Sequence, residues 1–508
     1  MEQLIEGVLR RYRGPGDIDE NELEEVSNSI ENFLEYSRRK DRPPIERAVE
    51  IGRLLRNIGA PVEGYKLMMA DAEYYREIGD TRLYWNRLYF AQAFMALGYP
   101  TERMEKKLNE YINVLRRNKK YVYFLPLFLN VKGNILHIYR EKYEEAEEVY
   151  KEALETIQTF DESFYSEFTM RDYHWSLRLI VNNYVDMLLK IERNQEQEKK
   201  LDFLRGLLEE EEKELPYINL LSLINKAEIE ISRKNLEVAE RYLKEAVIKM
   251  DRELERFFLP AVNRLYGQIW SIKGDIDKAV EYTIDSFGNS AYYGNSLTET
   301  ESLEAILNIF RRLSDEVQGE DRFEFFKKRG LIDAFLNILS YKDWVLGAEH
   351  SADVAQFSRL ISEHLNFSKE TKKSIGFAAM LHDVGKIMIP WYTLNKPAPP
   401  DEIDWDLIQA HVYEGYRIVK KLGFDREAEW VLEHHERCDG SGYPFGKKNP
   451  SLESQVIAIS DTFDAAISHG RRYRLPKTAE EVLEEIEADN GKFYPEVIEA
   501  LRKALPSM

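Results

Sequence analysis

Cysteine and long apolar runs are scarce in this sequence. Cys438 is the single cysteine in 508 residues, so the chain cannot form an internal disulfide. The most apolar stretch, YVYFLPLFLNV at 121–131, is too short to cross a bilayer and contains Pro126. The first residues, MEQLIEGVLRRYRGPG, lack the apolar core of a signal peptide. We therefore expect a soluble protein of the reducing cytoplasm, with no membrane partner.

Positive charge is also in deficit. The chain has 71 Lys and Arg residues against 91 Asp and Glu residues, which gives a formal net charge of −20. Sequence-independent binding to nucleic acid or to an anionic membrane needs a basic face. The composition therefore disfavours both partners and leaves small molecules and proteins.

Strand-like alternation is hard to find in residues 1–315. Apolar residues recur there every three or four positions with charged residues between them, which predicts successive amphipathic helices. Three stretches are alike: YEEAEEVYKEALE from 143, LEVAERYLKEAVI from 236 and IDKAVEYTIDSFG from 276. Each places an alanine (Ala146, Ala239, Ala279) in a helix that follows a turn. The helices are irregular in spacing.

This arrangement resembles tetratricopeptide repeats, in which small residues let paired antiparallel helices pack closely. An unrelated helical bundle with alanines at its contacts is the alternative. We predict that residues 1–315 form a helical-hairpin solenoid of this type. Such solenoids present an extended surface, so we expect a regulatory role through a protein partner or self-association.

A chain of this length is expected to hold two or more domains. The polar stretch LSDEVQGEDRF at 313–323 breaks the helical pattern, and we place the domain boundary there, with the second domain at 324–508. Residues 341–508 contain seven of the nine histidines. Histidine is not enriched by packing, so the uneven distribution indicates a site.

Seven side chains of this second domain are candidate ligands for divalent transition metals. They are His350, His382, Asp383, His411, His434, His435 and Asp461. Imidazole nitrogen combined with carboxylate oxygen suits iron, manganese or zinc. An isolated histidine in a helix is more often a satisfied surface residue, but the joint pattern indicates a metal cluster. Asp383 could bridge two ions through its two oxygens.

The motifs LHDVGKIMIP at 381–390 and HHERCDGSGYP at 434–444 carry a family resemblance. From about residue 345 to 498 the chain resembles the HD-GYP family of HD-domain metal-dependent phosphohydrolases. The resemblance implies an all-α domain that binds metals, usually iron or manganese, and hydrolyses cyclic di-GMP. It implies that all seven candidates ligate metal.

The resemblance also assigns roles beyond the ligands. Asp383 and Lys386 would be catalytic, Lys386 by hydrogen bonding to the phosphate or the nucleophile. The implied substrate-binding residues are Tyr443, Asp464, Arg471 and Arg474. Arg471 and Arg474 form an isolated basic cluster whose alternative is a solvated face. Leu346, four residues before His350, has no donor atom, which predicts two ions and a linear dinucleotide product.

The function expected from the sequence is a metal-dependent cyclic di-GMP phosphodiesterase regulated through a helical repeat domain. One alternative is a hydrolase of another cyclic dinucleotide. The other is a non-catalytic scaffold that senses nucleotide and binds a protein. The intact ligand set with a nearby lysine favours catalysis, because a sensor does not need them.

Overall fold

The computed structural model describes the chain except for residues 13, 161–169, 192–193, 215–218, 251–257, 293–295, 317–323, 325, 328–329, 345–347, 469–476, 490 and 508. The described residues form helices and turns, and none of them lies in a β-strand. The predicted all-α class is therefore confirmed. No described helix combines the length and apolar content that a bilayer crossing requires.

The chain divides into two compact units, Met1–Ala305 and Ile306–Met508. The division falls inside the helix Ser296–Glu316, before the predicted linker at 313–323. Most of that linker lies outside the described residues. The assignment of the first domain to regulation and of the second to catalysis stays a prediction.

The first unit is a succession of helices joined by turns. They are α1 (Glu2–Leu9), α2 (Glu20–Ser37), α3 (Ala48–Asn57), α4 (Pro61–Glu77), α5 (Thr81–Leu97), α6 (Glu102–Arg117), α7 (Leu125–Asn134), α8 (Tyr143–Gln158), α9 (Met170–Lys190), α10 (Gln195–Glu214), α11 (Asn219–Ser232), α12 (Leu236–Lys249), α13 (Leu259–Lys273), α14 (Ile276–Tyr292) and α15 (Ser296–Glu316). A single π-helical turn, Ile135–Tyr139, extends α7.

Small residues lie where consecutive helices of this unit pack against each other. The alanines of the three similar stretches are fully buried. A Cβ on Gly267 of α13 would lie 2.3 Å from Oγ1 of Thr283 in α14, and one on Gly133 of α7 would lie 2.5 Å from the Tyr150 ring of α8. These close approaches agree with helical hairpins, whereas membership of the tetratricopeptide family stays a prediction.

Ion pairs connect alternate helices inside the first unit. Arg264 of α13 donates to Glu228 of α11 at 2.9 Å, and its Nε lies 3.3 Å from a carboxylate oxygen of Glu301 in α15. Lys190 of α9 lies 3.2 Å from the same Glu301 and 3.1 Å from Asp186. The Arg264 side chain is only 5% exposed. Four helices are thus joined by one buried ionic network.

The second unit is also helical. Beyond α15, its helices are α16 (Leu331–Lys342), α17 (Ala348–Ser362), α18 (Lys369–Met380), α19 (Trp391–Asn395), α20 (Glu402–Gln409), α21 (His411–Lys421), α22 (Asp425–Glu433), α23 (Leu452–Ile467), α24 (Ala479–Ala488) and α25 (Pro495–Ala504). A 3-10 helix, Val384–Met388, follows α18. Ser368, Asp401, Ser451 and Thr478 cap the helices that they precede, because their side chains accept from first-turn backbone N–H groups.

One backbone crossing places two of the sequence motifs against each other. A Cβ on Gly385, in the 3-10 helix, would lie 1.9 Å from the carbonyl oxygen of His411 and 2.4 Å from the amide nitrogen of Gly415. Both neighbours are backbone atoms of α21, so they cannot move aside as a flexible side chain could. Glycine at 385 is therefore what allows the segment after α18 to contact the start of α21.

Candidate metal centre

The candidate ligands come from helix ends and from two helix interiors. His382 and Asp383 follow α18, His411 begins α21, and His434 and His435 follow α22. His350 lies in α17 and Asp461 in the middle of α23. All seven side chains lie in one cluster in the second unit, and their role as metal ligands stays a prediction.

The seven side chains fall into two groups. Ligand atoms of Asp383, His411, His434 and His435 lie within 4.8 Å of one another, and those of His350, His382 and Asp461 do the same. Each group offers three or four nitrogen and oxygen donors, a number that suits a transition-metal ion with a position left for water or substrate.

Two carboxylates each face both groups. For Asp383, Oδ1 lies 3.3 Å from Nε2 of His411, whereas Oδ2 lies 3.4 Å from Nε2 of His382. For Asp461, Oδ1 lies 3.3 Å from Nε2 of His350, and Oδ2 lies 4.0 Å from Nδ1 of His435. The sequence predicted a bridging geometry for Asp383 only, because the position of Asp461 depends on how α23 packs.

Three histidines are oriented by the same kind of hydrogen bond, from Nδ1 to the backbone carbonyl three residues earlier. Nδ1 lies 2.7 Å from the Ala379 carbonyl oxygen in His382, 2.5 Å from that of Ile408 in His411 and 2.6 Å from that of Val431 in His434. A carbonyl can only accept, so Nδ1 carries the proton in each ring. The Nε2 lone pair is then available to a metal, as is usual for ligating histidines.

The arrangement of these lone pairs fits a bound cation. Nε2 of His411 and Nε2 of His434 face each other at 3.4 Å, although both are acceptors when Nδ1 is protonated. Nε2 of His382 is buried without a hydrogen-bond partner among the described residues. Buried acceptors without donors are unfavourable unless a positive charge satisfies them.

Three histidines of the cluster have lowered pKa values because they are buried. Burial, together with the neighbouring imidazoles of His382 and His411, lowers the pKa of His434 to about 3. Burial also lowers the pKa of His435 and of His411. These rings are therefore neutral at physiological pH, which is the form that binds metal.

His350 behaves differently because carboxylates surround it. Burial lowers its pKa, but hydrogen bonds to Asp461 and Asp464 outweigh burial and raise the pKa to about 9. An ion that binds His350 must therefore displace a proton near neutral pH. For Asp383, burial opposes ionisation, yet Lys386 and the adjacent imidazoles hold the pKa of its carboxyl well below the usual range.

Lys386 is buried beside the cluster. Its Nζ lies 2.6 Å from Oδ2 of Asp383 and 3.1 Å from Oδ2 of Asp343. Asp343 was not among the residues singled out from the sequence, and no local motif marks it. The catalytic role predicted for Lys386 stays a prediction, and its contact with Asp383 places a positive charge next to the candidate bridging carboxylate.

Of the predicted substrate-binding residues, Tyr443 lies at the edge of the cluster. Its ring stacks on that of His435 with centroids 4.6 Å apart, in a turn whose Tyr443–Pro444 peptide bond is cis. Arg471 and Arg474 lie outside the described residues, as does Leu346, so their predicted roles stay predictions.

The Asp464 side chain contacts the candidate metal ligand His350 and does not face solvent. Its side chain is buried, and Oδ2 accepts from Nδ1 of His350 at 2.5 Å. A carboxylate in this position orients the imidazole and increases its basicity. Asp464 is three residues from Asp461 on the same helix, and its carboxylate contacts His350. The substrate contact predicted for Asp464 stays a prediction.

Two glutamates that the sequence analysis did not single out hold the loop after the paired histidines. Glu436 accepts from the backbone amides of Phe445 and Lys447, each at 2.7 Å, and Glu433 accepts from the amide of Ser451 at 2.9 Å. In the same loop, the Cys438 amide donates to the Lys492 carbonyl oxygen at 2.9 Å. The Cys438 thiol lies 3.5 Å from Oε1 of Gln455.

Comparison with known proteins agrees with these features. Residues 334–497 match the HD domain family, which confirms the resemblance inferred from the HD and Gly-Tyr-Pro motifs. A cyclic di-GMP phosphodiesterase from Thermotoga maritima is 40% identical over 175 residues, which cover 33% of this chain and 47% of that protein.

Two further relatives each match about a third of the chain. A 3'3'-cGAMP-specific phosphodiesterase 3 from Vibrio cholerae is 35% identical over 179 residues, 34% of this chain and 38% of that protein. The cyclic di-GMP phosphodiesterase response regulator RpfG from Xanthomonas campestris pv. campestris is 33% identical over 183 residues, 34% of this chain and 47% of that protein. The chain therefore spans less than half the length of each of these relatives.

Proposed function

We propose, on the premise that residues 334–497 form an HD domain, that this chain is a metal-dependent phosphodiesterase that hydrolyses cyclic di-GMP. The observation that carries the proposal is the pair of ligand groups joined by Asp383 and Asp461, each of which directs one oxygen to each group. Paired sites of this kind suit displacement at phosphorus, where charge develops on both the attacking and the leaving oxygen.

The cofactor in this proposal is a pair of divalent transition-metal ions. One ion would be held by Asp383, His411, His434 and His435, and the other by His350, His382 and Asp461. Bound ions of this kind lower the pKa of water and stabilise charge on phosphoryl oxygens. The mixture of imidazole and carboxylate donors supports iron or manganese over magnesium, which prefers oxygen alone.

Two residues of the chain would act on the substrate itself. Lys386 keeps its proton, because Asp383 and Asp343 outweigh the effect of burial and raise the pKa of its ammonium group. It can therefore donate to a phosphoryl oxygen or to the attacking water. Burial raises the pKa of Tyr443, so its hydroxyl remains a hydrogen-bond donor at the edge of the cluster.

Other cyclic dinucleotides form a second candidate substrate class. The observation in its favour is the name of the Vibrio cholerae relative, a 3'3'-cGAMP-specific enzyme. Both substrate classes require the same phosphodiester chemistry at the two ligand groups. Cyclic di-GMP and 3'3'-cGAMP differ in one base, so the two substrates must be distinguished by measuring the hydrolysis of each.

The proposed role of the first unit is regulation through a protein partner or a second copy of the chain. It is supported by the location of the metal-capable groups, which among the described residues lie in the second unit. The HD match likewise begins at residue 334, after the first unit ends.

The test is hydrolysis of cyclic di-GMP, 3'3'-cGAMP and cyclic di-AMP by the purified full chain loaded with manganese or iron, with products separated by chromatography. We expect cyclic di-GMP to be cleaved fastest, to the linear dinucleotide, with two ions per chain by elemental analysis. The double variant His434→Ala, His435→Ala should lose at least one ion and nearly all activity.

The matched control is His364→Ala, which removes an exposed histidine of the same unit. It should retain metal and activity. Full activity in the double variant would refute the catalytic assignment. Tight nucleotide binding without hydrolysis by the metal-loaded wild type would favour the sensing scaffold instead.

A further inference from the structure

A cavity of about 310 Å³ opens beside the metal centre. Asp461 forms part of its wall and is also a candidate metal ligand, so the cavity and the cluster share a side chain. Thr462 and Ala465 extend the same wall along α23, and Val482 and Ile486 of α24 form the opposite wall. The cavity therefore borders the centre at Asp461.

The centre is most open on this side. The side chains of His435 and Asp461 are 19% and 12% exposed. Those of His350, His382, Asp383 and His411 are at most 5% exposed. Substrate that reaches the cluster must therefore approach by way of His435 and Asp461, and the cavity lies next to Asp461.

Arg437 is the distinctive charged group in this cavity. Its guanidinium lies over the Phe493 ring at 5.0 Å from the centroid, and Nη2 lies 3.4 Å from Oγ1 of Thr462. No carboxylate oxygen of a described residue lies within 4.0 Å of a guanidinium nitrogen of Arg437. A half-buried guanidinium with no carboxylate beside it can receive an anion from a ligand.

The other two cations of the cavity already have carboxylate partners. Lys477 pairs with Glu485, and Lys492 pairs with Asp489. These four side chains contribute no net charge. Apart from the candidate metal ligand Asp461, Arg437 is the source of excess positive charge among the described residues that line the cavity, next to an apolar surface of Val482, Ile486 and Phe493.

We propose that this cavity is the subsite for the nucleotide of the substrate that is not being hydrolysed, and that Arg437 binds its phosphate. The inference rests on the proposed function. A cyclic dinucleotide has two phosphates, and only one can lie at the ions during an in-line displacement. The second nucleotide must be held elsewhere, and a base presents apolar faces that suit the wall.

The size of the cavity supports the placement of one nucleotide in the cavity and the other at the metal centre. Small-ligand pockets range from about 300 to 1,000 Å³, and a volume of about 310 Å³ lies at the lower end. It suits one nucleotide unit better than a whole cyclic dinucleotide. The cavity and the metal centre together would then hold the complete substrate, one half in each.

The experiment compares a cyclic dinucleotide with bis(4-nitrophenyl) phosphate, a minimal phosphodiester that lacks the second nucleotide. Arg437→Ala should raise the KM or Kd for cyclic di-GMP by roughly ten- to hundredfold, the range for one charge-assisted contact. Hydrolysis of the minimal substrate and metal content should fall far less than binding of cyclic di-GMP. Arg502→Ala, which removes an exposed arginine of the same unit, is the matched control.

A second variant is needed because Arg437 also donates to the carbonyl oxygens of His434 and Glu436. Ala465→Phe adds bulk to the cavity and retains Arg437 together with the two carbonyl groups to which it donates. It should raise the KM or Kd for cyclic di-GMP and spare the minimal substrate. Parallel loss of metal and of both activities in Arg437→Ala, or normal cyclic di-GMP binding in Ala465→Phe, would overturn the subsite.

Failure of the proposed function gives a different pattern. A wild type that binds cyclic di-GMP but cleaves only the minimal substrate refutes the proposed function, and the Kd values of the variants then decide the subsite. A wild type that neither binds nor cleaves any cyclic dinucleotide refutes both.

Discussion

At the residue scale, the position of each imidazole proton decides what the cluster can bind. His382, His411 and His434 donate from Nδ1 to a backbone carbonyl, which directs Nε2 to the centre. His350 differs, because its Nδ1 partner is the carboxylate of Asp464. A charged acceptor holds the ring more strongly than a carbonyl and increases the basicity of the other nitrogen.

The first prediction concerns Asp464. Asp464→Ala should weaken metal binding by roughly 10- to 100-fold, the usual effect of losing such a partner. Asp464→Asn should recover part of the affinity, since its amide oxygen can still accept from Nδ1 of His350. Competition with a chelator measures the affinity. An unchanged affinity with a raised KM would instead support the substrate contact predicted from the sequence.

At the element scale, five of the seven candidate ligands lie at helix termini. The carbonyls of Ala379, Ile408 and Val431 lie in the last turns of α18, α20 and α22, where the helix leaves carbonyls without intrahelical partners. Each is used by the histidine three residues later. The helix end and the metal ligand therefore satisfy one another, and displacement of a helix end would displace a ligand.

The second prediction uses the crossing at Gly385. Gly385→Ala should force apart the 3-10 helix and α21, because the added Cβ would meet backbone atoms at 1.9 and 2.4 Å. We expect lower thermal stability together with loss of metal from the group that contains His411. Gly206→Ala is the control, since a Cβ there has no neighbour within 4 Å. Normal metal content in Gly385→Ala would show that α21 tolerates the shift.

The third prediction concerns the ionic network of the first unit. Arg264→Met should destabilise the unit by roughly 3–5 kcal/mol, because it leaves the buried Glu228 without its partner and Glu301 with Lys190 alone. Arg116→Met removes an exposed pair with Glu152 and should cost about 1 kcal/mol or less. Denaturant unfolding measures the free energy of unfolding of both variants. Equal destabilisation by the two substitutions would show that the buried network stabilises the unit no more than an exposed ion pair does.

The sequence predicted some of these elements well and could not predict others. Helical periodicity sufficed for the all-α class, and the spacing of HD and HH residues singled out seven side chains that lie together, whose role as metal ligands stays a prediction. Asp343, Arg437 and the role of Asp464 were missed because they depend on packing between segments far apart in sequence. The carbonyl acceptors could not be found either, since every residue has a carbonyl and only the helix ends select these three.

At the scale of the whole molecule, the chain consists of two units with different tasks in the proposed function. The described metal-capable groups belong to the second unit, and the buried ionic network belongs to the first. The division lies inside α15, so part of that helix belongs to the second unit. Phe310 of this part contacts Phe326, whose ring contacts Phe424.

The fourth prediction follows from that helix. A fragment of residues 296–508 should fold and bind metal, with altered but not abolished activity. A fragment of residues 324–508 should be less stable by roughly 3–5 kcal/mol, the usual cost of deleting a core phenylalanine, since it lacks Phe310. Thermal unfolding and metal analysis of both fragments test this. Failure of the longer fragment to fold would mean that the two units form one structural whole.

The position of Cys438 makes the unmodified chain suitable for site-specific labelling. A thiol reagent can attach one fluorophore or spin label per chain, and the label would sit in the loop whose backbone holds Lys492 of the cavity. Burial raises the pKa of this thiol, so little thiolate is present and the reaction is slow. Its rate should depend on opening of the loop, so alkylation kinetics would report in real time whether a nucleotide has entered.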